Sequence, residues 1–160
     1  MKLNCKIPSS RDKLDILNKF YSWIPSGSMV STKKDKRVID TINYQKNYYQ
    51  SNIDLVLIKY FNLPGKINKE TNKVFSKLKI SELKLKTLVK NEFPYMIPKN
   101  TEQYIMWYTY NNITDNEITS DINQLLEKLL NHNNYEFVWY ENPKMSIPEV
   151  FHLQVFWHLV

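Results

Sequence analysis

At 160 residues the chain is long enough to bury a core without disulfide or metal staples, and a hydrophobic content of 42%, with four Trp and eleven Tyr, excludes a disordered chain. A single cysteine, Cys5, excludes an internal disulfide, and no window approaches the ~18 apolar residues of a membrane helix, so an intracellular, cytoplasmic setting without a membrane partner is expected. The net charge of +6 is unevenly spread: residues 1–90 carry 19 basic and 7 acidic side chains, residues 91–160 carry 3 and 9.

A basic half of this kind can mark a surface for nucleic acid, nucleotide or another anion. It can equally be the solvating surface of a Lys-, Asn- and Ile-rich protein. Only Arg11 and Arg37 supply the planar fork that reads phosphate bidentately.

Ser9 and Asp12 resemble a capping box, and Leu14, Leu17, Phe20, Tyr21 and Ile24 follow at helical spacing, predicting a helix that ends before Pro25. Residues 25–34 read as a polar connector. Their hydroxyls and backbone N–H groups could cradle a phosphate, but the glycine spacing of a phosphate-binding loop is missing. From Asp35 to Asn62, Val38, Ile42, Tyr49, Ile53, Val56 and Tyr60 share one stripe of a predicted long helix, which Leu63-Pro64-Gly65 stops.

Residues 66–90 mix lysines with Val74, Phe75, Leu78, Ile80, Leu83, Leu85 and Leu88, a pattern open to either a strand or a short helix. After a turn-rich segment, Gln103–Tyr110 is β-prone. Thr114 and Glu117 form a capping box ahead of Ile118, Ile122, Leu125, Leu126 and Leu129, an amphipathic helix. Tyr135–Tyr140 and Phe151–Leu159 read as strands.

This order predicts an α+β fold in one domain: a helical N-terminal portion, residues 1–65, packed on a small, mostly antiparallel sheet with one amphipathic helix, residues 66–160. Candidate core or pocket positions are Phe93, Tyr95, Ile105, Trp107, Ile122, Leu125, Leu129, Val138, Tyr140, Val155 and Trp157.

The succession Asn91-x-Phe93-Pro94-Tyr95, the Ile105-Met106-Trp107 strand, a helix, Val138-Trp139-Tyr140-x-Asn142 and a closing strand with His152 resembles the uncharacterised domain of fungal N-acetylglucosamine-induced proteins. Tyr44, Tyr49, Ser51 and Leu57 lie where that family has a tyrosine-rich helix. The same motif order is similar to histidine-triad proteins, in the branch of galactose-1-phosphate uridylyltransferases and diadenosine tetraphosphate phosphorylases, whose closing motif is His-x-His-x-Gln. Val150-Phe151-His152-Leu153-Gln154 matches its last His and its Gln, with Val150 in place of the first His.

The resemblance implies a histidine-triad-like sheet and a nucleotide or sugar-nucleotide phosphate transferase or hydrolase. In it His152 attacks an α-phosphorus, Gln154 donates to a phosphoryl oxygen, and Asn91, Asn142 and Ser146 hold phosphate and sugar. A neutral imidazole suits this role because it needs no separate base, and Gln154 shares a strand face with His152. A homodimer through strand pairing is also implied, unless the N-terminal helices cover that edge. Against the pattern stand Val150, one extra residue between Ser146 and His152, and Glu149, which would repel phosphate if it faced inward. The alternative is a module that binds nucleotide, another anion or nucleic acid without turnover.

No metal or cofactor is expected. His158 lies six residues beyond His152, roughly 20 Å along a strand at ~3.3 Å per residue, and His132 reads as a helix-end residue.

Overall fold

The computed structural model describes residues 36–92, 101–131, 134–142 and 145–160. The predicted helix from Ser9, the connector 25–34, and Phe93, Tyr95 and His132 lie outside the described residues. What is described is an α+β fold.

The predicted long helix from Asp35 is two helices. The first, α1 (Lys36–Tyr48), gives way at Tyr49, which forms a parallel bridge to Val74, and Gln50 N–H donates to the Val74 carbonyl at 2.8 Å. Ser51, in extended backbone, then caps a new helix by accepting from Asp54 N–H at 3.1 Å. This is α2 (Asn52–Leu55), which widens into a π-helical turn at Val56–Tyr60. Asn62, at φ 56°, and Pro64 end the helical run.

Residues 66–90, left open between strand and helix, hold an antiparallel hairpin, a single 3₁₀ turn at Ile80–Glu82, and a further strand. The hairpin pairs β1 (Gly65–Asn68) with β2 (Lys73–Ser76). A Cβ on Gly65 would lie 2.8 Å from Val74 Cγ1 and 3.0 Å from Ile58 Cδ1, so a larger residue there would have to displace these side chains where the hairpin meets the π-helical turn. Asp54 Oδ1 accepts from Ser76 N–H at 2.8 Å and fastens the same junction.

The main sheet has the order β3 (Lys86–Lys90), β4 (Thr101–Tyr108), β6 (His152–Leu159), β5 (Tyr135–Tyr140), with every pair antiparallel. Side chains alternate across it, so directly opposed residues share a face. On one face lie Met106, Tyr108, Leu153, Val155, Phe137 and Trp139, against α3 (Asp115–Leu130).

The capping box that opens α3 is complete: Glu117 N–H donates to Thr114 Oγ1 at 3.2 Å, and Thr114 N–H donates back to Glu117 Oε1 at 3.3 Å. Ile118, Ile122 and Leu126, one turn apart, are fully buried, each worth about 1.5–3 kcal/mol of transfer free energy. Leu129, expected in the core, is instead 52% exposed. In the last turn it is Leu130 that packs against the core, before Asn131 ends the helix at φ 52°.

The opposite face carries Trp107, Ile105 and Val89, and there the helical portion packs through Leu55 and Val56, with Val150 and Ile147 from the segment before β6. The sheet is thus covered on both faces, which is why β6 is buried almost throughout and shows no clean alternation in sequence.

Candidate functional site

Register decides what meets on the helical-portion face. Trp107 stands opposite His152, and Ile105 opposite Gln154, which in turn faces Tyr140 on β5. Asn91 follows β3, with its N–H donating to the Gln103 carbonyl at 3.1 Å, and Asn142 lies two residues beyond Tyr140. Where α1, α2 and the π-helical turn fail to fill the space above these strands, a cavity of about 330 Å³ remains. Asn91, Asn142, Ser146, His152 and Gln154 all line it.

His152 is 5% exposed, and its Nδ1 lies 2.8 Å from the Val150 carbonyl oxygen. A carbonyl can only accept, so Nδ1 carries the proton and Nε2 is the nitrogen with the lone pair. Burial lowers the pKa of this imidazole from its ordinary 6.5, partly opposed by the bond to Val150, so the neutral tautomer prevails. The expected departure at Val150 therefore has a specific geometry. Its side chain is buried with Leu55, Val56 and Trp107, while its carbonyl orients His152, a task any residue at that position can perform.

The imidazole is held on its flat side too. Trp107 packs against it with ring centroids 4.2 Å apart, and Tyr60 stacks on Trp107 at 5.3 Å and 14°. Tyr60 reaches this position because the π-helical turn adds a residue to the helix. Trp107 Nε1 is buried without a hydrogen-bond partner among the described residues.

Gln154 Oε1 accepts from Gln103 Nε2 at 2.6 Å, so the part of Gln154 left for a ligand is its NH₂. Glu149 does not line the cavity. The strand begins at His152, so Glu149 sits in the preceding turn, exposed, accepting from Asn52 Nδ2 at 3.4 Å. Among the described residues the charged groups that line the cavity are Lys46 and Glu92, and Glu92 is paired with Lys59 and accepts from Tyr60 Oη at 3.3 Å. Burial and the Glu92 carboxylate both raise the Tyr60 phenol, which stays protonated.

His158 is elsewhere, 3.1 Å from Glu136 Oε2. Among the described residues no three His, Cys, Asp or Glu side chains are grouped to hold a metal. No helix among them is long and apolar enough to cross a membrane.

Sequence reasoning missed Lys46, Asn52 and Glu92 as lining residues and placed Tyr60 only on a helix stripe, whereas Ile105 and Trp107, candidates for core or pocket, do line the cavity. The place of Trp107 beside His152 could have been found only with the β4–β6 register in hand, and that of Tyr60 only with the π-helical turn.

Fold and site together define an α+β chain with a buried, tautomer-fixed histidine in the floor of a cavity lined by amides and aromatic rings. No family model matches the chain, and no curated protein matches it. A solved structure described as "Crystal Structure of HTC1" is similar over 95% of this chain and 86% of that one, with 12% identity and a TM-score of 0.44.

Proposed function

We propose that the chain is a histidine-triad-like nucleotide or sugar-nucleotide phosphate transferase or hydrolase, as its resemblance to that superfamily implies. The observation that carries the reading is the His152 tautomer: Nδ1 is committed to the Val150 carbonyl, which leaves the Nε2 lone pair as nucleophile within a nucleotide-sized cavity. Nε2 attacks the α-phosphorus, an N–P bond forms, and the P–O bond to the departing phosphate or sugar phosphate breaks. Water or an acceptor hydroxyl then attacks the same phosphorus, and the N–P electron pair returns to Nε2. Gln154 NH₂ and the Ser146 hydroxyl donate to the phosphoryl oxygens, while Asn91 and Asn142 hold phosphate or sugar. Neutrality of the imidazole supports this, because a protonated ring has no lone pair to give.

The test is intact-protein mass under neutral conditions after incubation with nucleoside diphosphate sugars and dinucleoside polyphosphates, for wild type and His152→Gly. A nucleotidyl adduct on wild type alone is the expected result. Thermal stabilisation by the same nucleotides with no adduct and no turnover would replace the transferase by a binding module.

A further inference from the structure

Where a leaving group goes is set by the displacement itself. Attack and departure at phosphorus lie roughly in line, so a nucleophile in the floor of the cavity expels its leaving group toward the roof. His152 stands on the sheet, and the roof is the stripe of α1 that carries Val38, Ile42, Gln45 and Lys46, with Asn52 from α2. A groove of about 260 Å³ opens there. It shares Gln45, Lys46, Asn52 and Leu55 with the cavity and continues over Tyr49, Gln50 and Ser51, along the break between α1 and α2.

The lining of the groove differs from that of the cavity. Asn52 Nδ2 donates to Glu149 Oε1 at 3.4 Å, so Asn52 presents its carbonyl oxygen, whereas Gln50 Oε1 accepts from Asn68 Nδ2 at 2.9 Å, so Gln50 presents its NH₂. The Tyr49 ring packs against the cluster of Leu55 and Val56, with Tyr48 edge-on to it at 4.8 Å. Among the described residues the groove thus offers amide donors and acceptors but no open ring face, which suits the hydroxyls of a sugar and gives a second nucleobase nothing to stack on. At the junction of cavity and groove, Lys46 has no carboxylate partner among the described residues, and its charge matches one departing phosphate.

We propose that Lys46 holds the departing phosphate and that the groove beyond it holds the sugar which that phosphate carries, so that the substrate is a nucleoside diphosphate sugar and not a dinucleoside polyphosphate. The inference rests on the proposed chemistry of His152. As Nε2 bonds to the α-phosphorus, the electron pair of the breaking P–O bond stays on the oxygen bridging to the β-phosphorus. The sugar phosphate departs as a dianion with no proton needed, and Lys46 offsets the charge that develops on it. A polyphosphate chain would bring more charge than one lysine offsets, close to the Glu149 carboxylate beside Asn52.

Timed adduct formation on the full chain tests this, with UDP-glucose and ADP-glucose, diadenosine tetraphosphate, and the nitrophenyl esters of UMP and AMP, whose leaving group spreads its own charge and needs no cation. Wild type should react faster with the sugar nucleotides than with the diadenosine compound. Lys46→Gln should slow the sugar-nucleotide reaction by about 10²-fold or more and the nitrophenyl reaction far less, and Lys46→Arg should recover most of the loss. Gln50→Ala should raise KM for the sugar nucleotides alone. Equal slowing of both reactions by Lys46→Gln, or no slowing of either, overturns the inference and leaves the proposed function. So does a diadenosine compound that reacts faster than the sugar nucleotides. No adduct on wild type from any probe, the activated esters included, removes the proposed function and this inference with it.

Discussion

A buried histidine answers to pH in one direction only. The His152 pKa lies below its ordinary 6.5 in the folded chain because burial penalises the charged ring, while in the unfolded chain it returns to about that value. As pH falls through 6.5 the unfolded chain takes up the proton first, so the folded state loses stability from there down to the folded pKa. Above 6.5 the contribution is constant. Following the His152 Cε1 resonance against pH should give a midpoint below 6.5, and His152→Asn should flatten this part of the stability profile. A midpoint at or above 6.5 would mean that a carboxylate, and not desolvation, governs the ring. The residues meant to act with it were visible in the sequence only as types and spacings. His152 and Gln154 fall two apart on a strand and so must share a face, but their meeting with Asn91 depends on strands far off in sequence.

Elements whose signals are local could be read from the chain, and those set by distant contacts could not. Helix α3 is of the first kind, since its cap, its apolar period and its end all lie within the residues from Thr114 to Asn131. Replacing Thr114 by Ala leaves Glu117 N–H unpaired and should cost about 0.5–2 kcal/mol, seen as a lower Tm with an unchanged fold by circular dichroism. No loss would mean that tertiary packing alone sets where α3 begins. The break between α1 and α2 is of the second kind. Nothing in Tyr49-Gln50-Ser51 forbids a helix, and the interruption is set by Val74, which bridges Tyr49 and accepts from Gln50 N–H. The hairpin was obscured for a related reason, because the hairpin's Lys73 to Ser76 are all half-buried, with no polar-to-apolar alternation to follow.

The two faces of the sheet are unequal, and this has a consequence for the whole molecule. On the α3 face twelve buried side chains form one cluster, including Trp139, Tyr135 and Phe137. On the cavity face, among the described residues, Leu55, Val56, Trp107 and Val150 cluster beside a void of about 330 Å³, with Val138, Tyr140 and Phe156 buried further along the same face. Void lining forfeits dispersion contacts, so α1, α2 and the π-helical turn are held less firmly above the cavity than α3 is on its face. Backbone amides of α1, α2 and the π-helical turn should therefore exchange with deuterium well before those of α3, β4 and β6. A nucleotide in the cavity touches both layers, through residues such as Lys46 and Asn52 above and His152 and Gln154 below. Binding should then slow exchange mainly in the helical layer, because that is where ligand contacts replace missing protein contacts. Uniform protection across both layers without nucleotide would show that the sheet and its helical cover open as one unit. Protection gained only in α3 would put the ligand on the wrong face of the sheet.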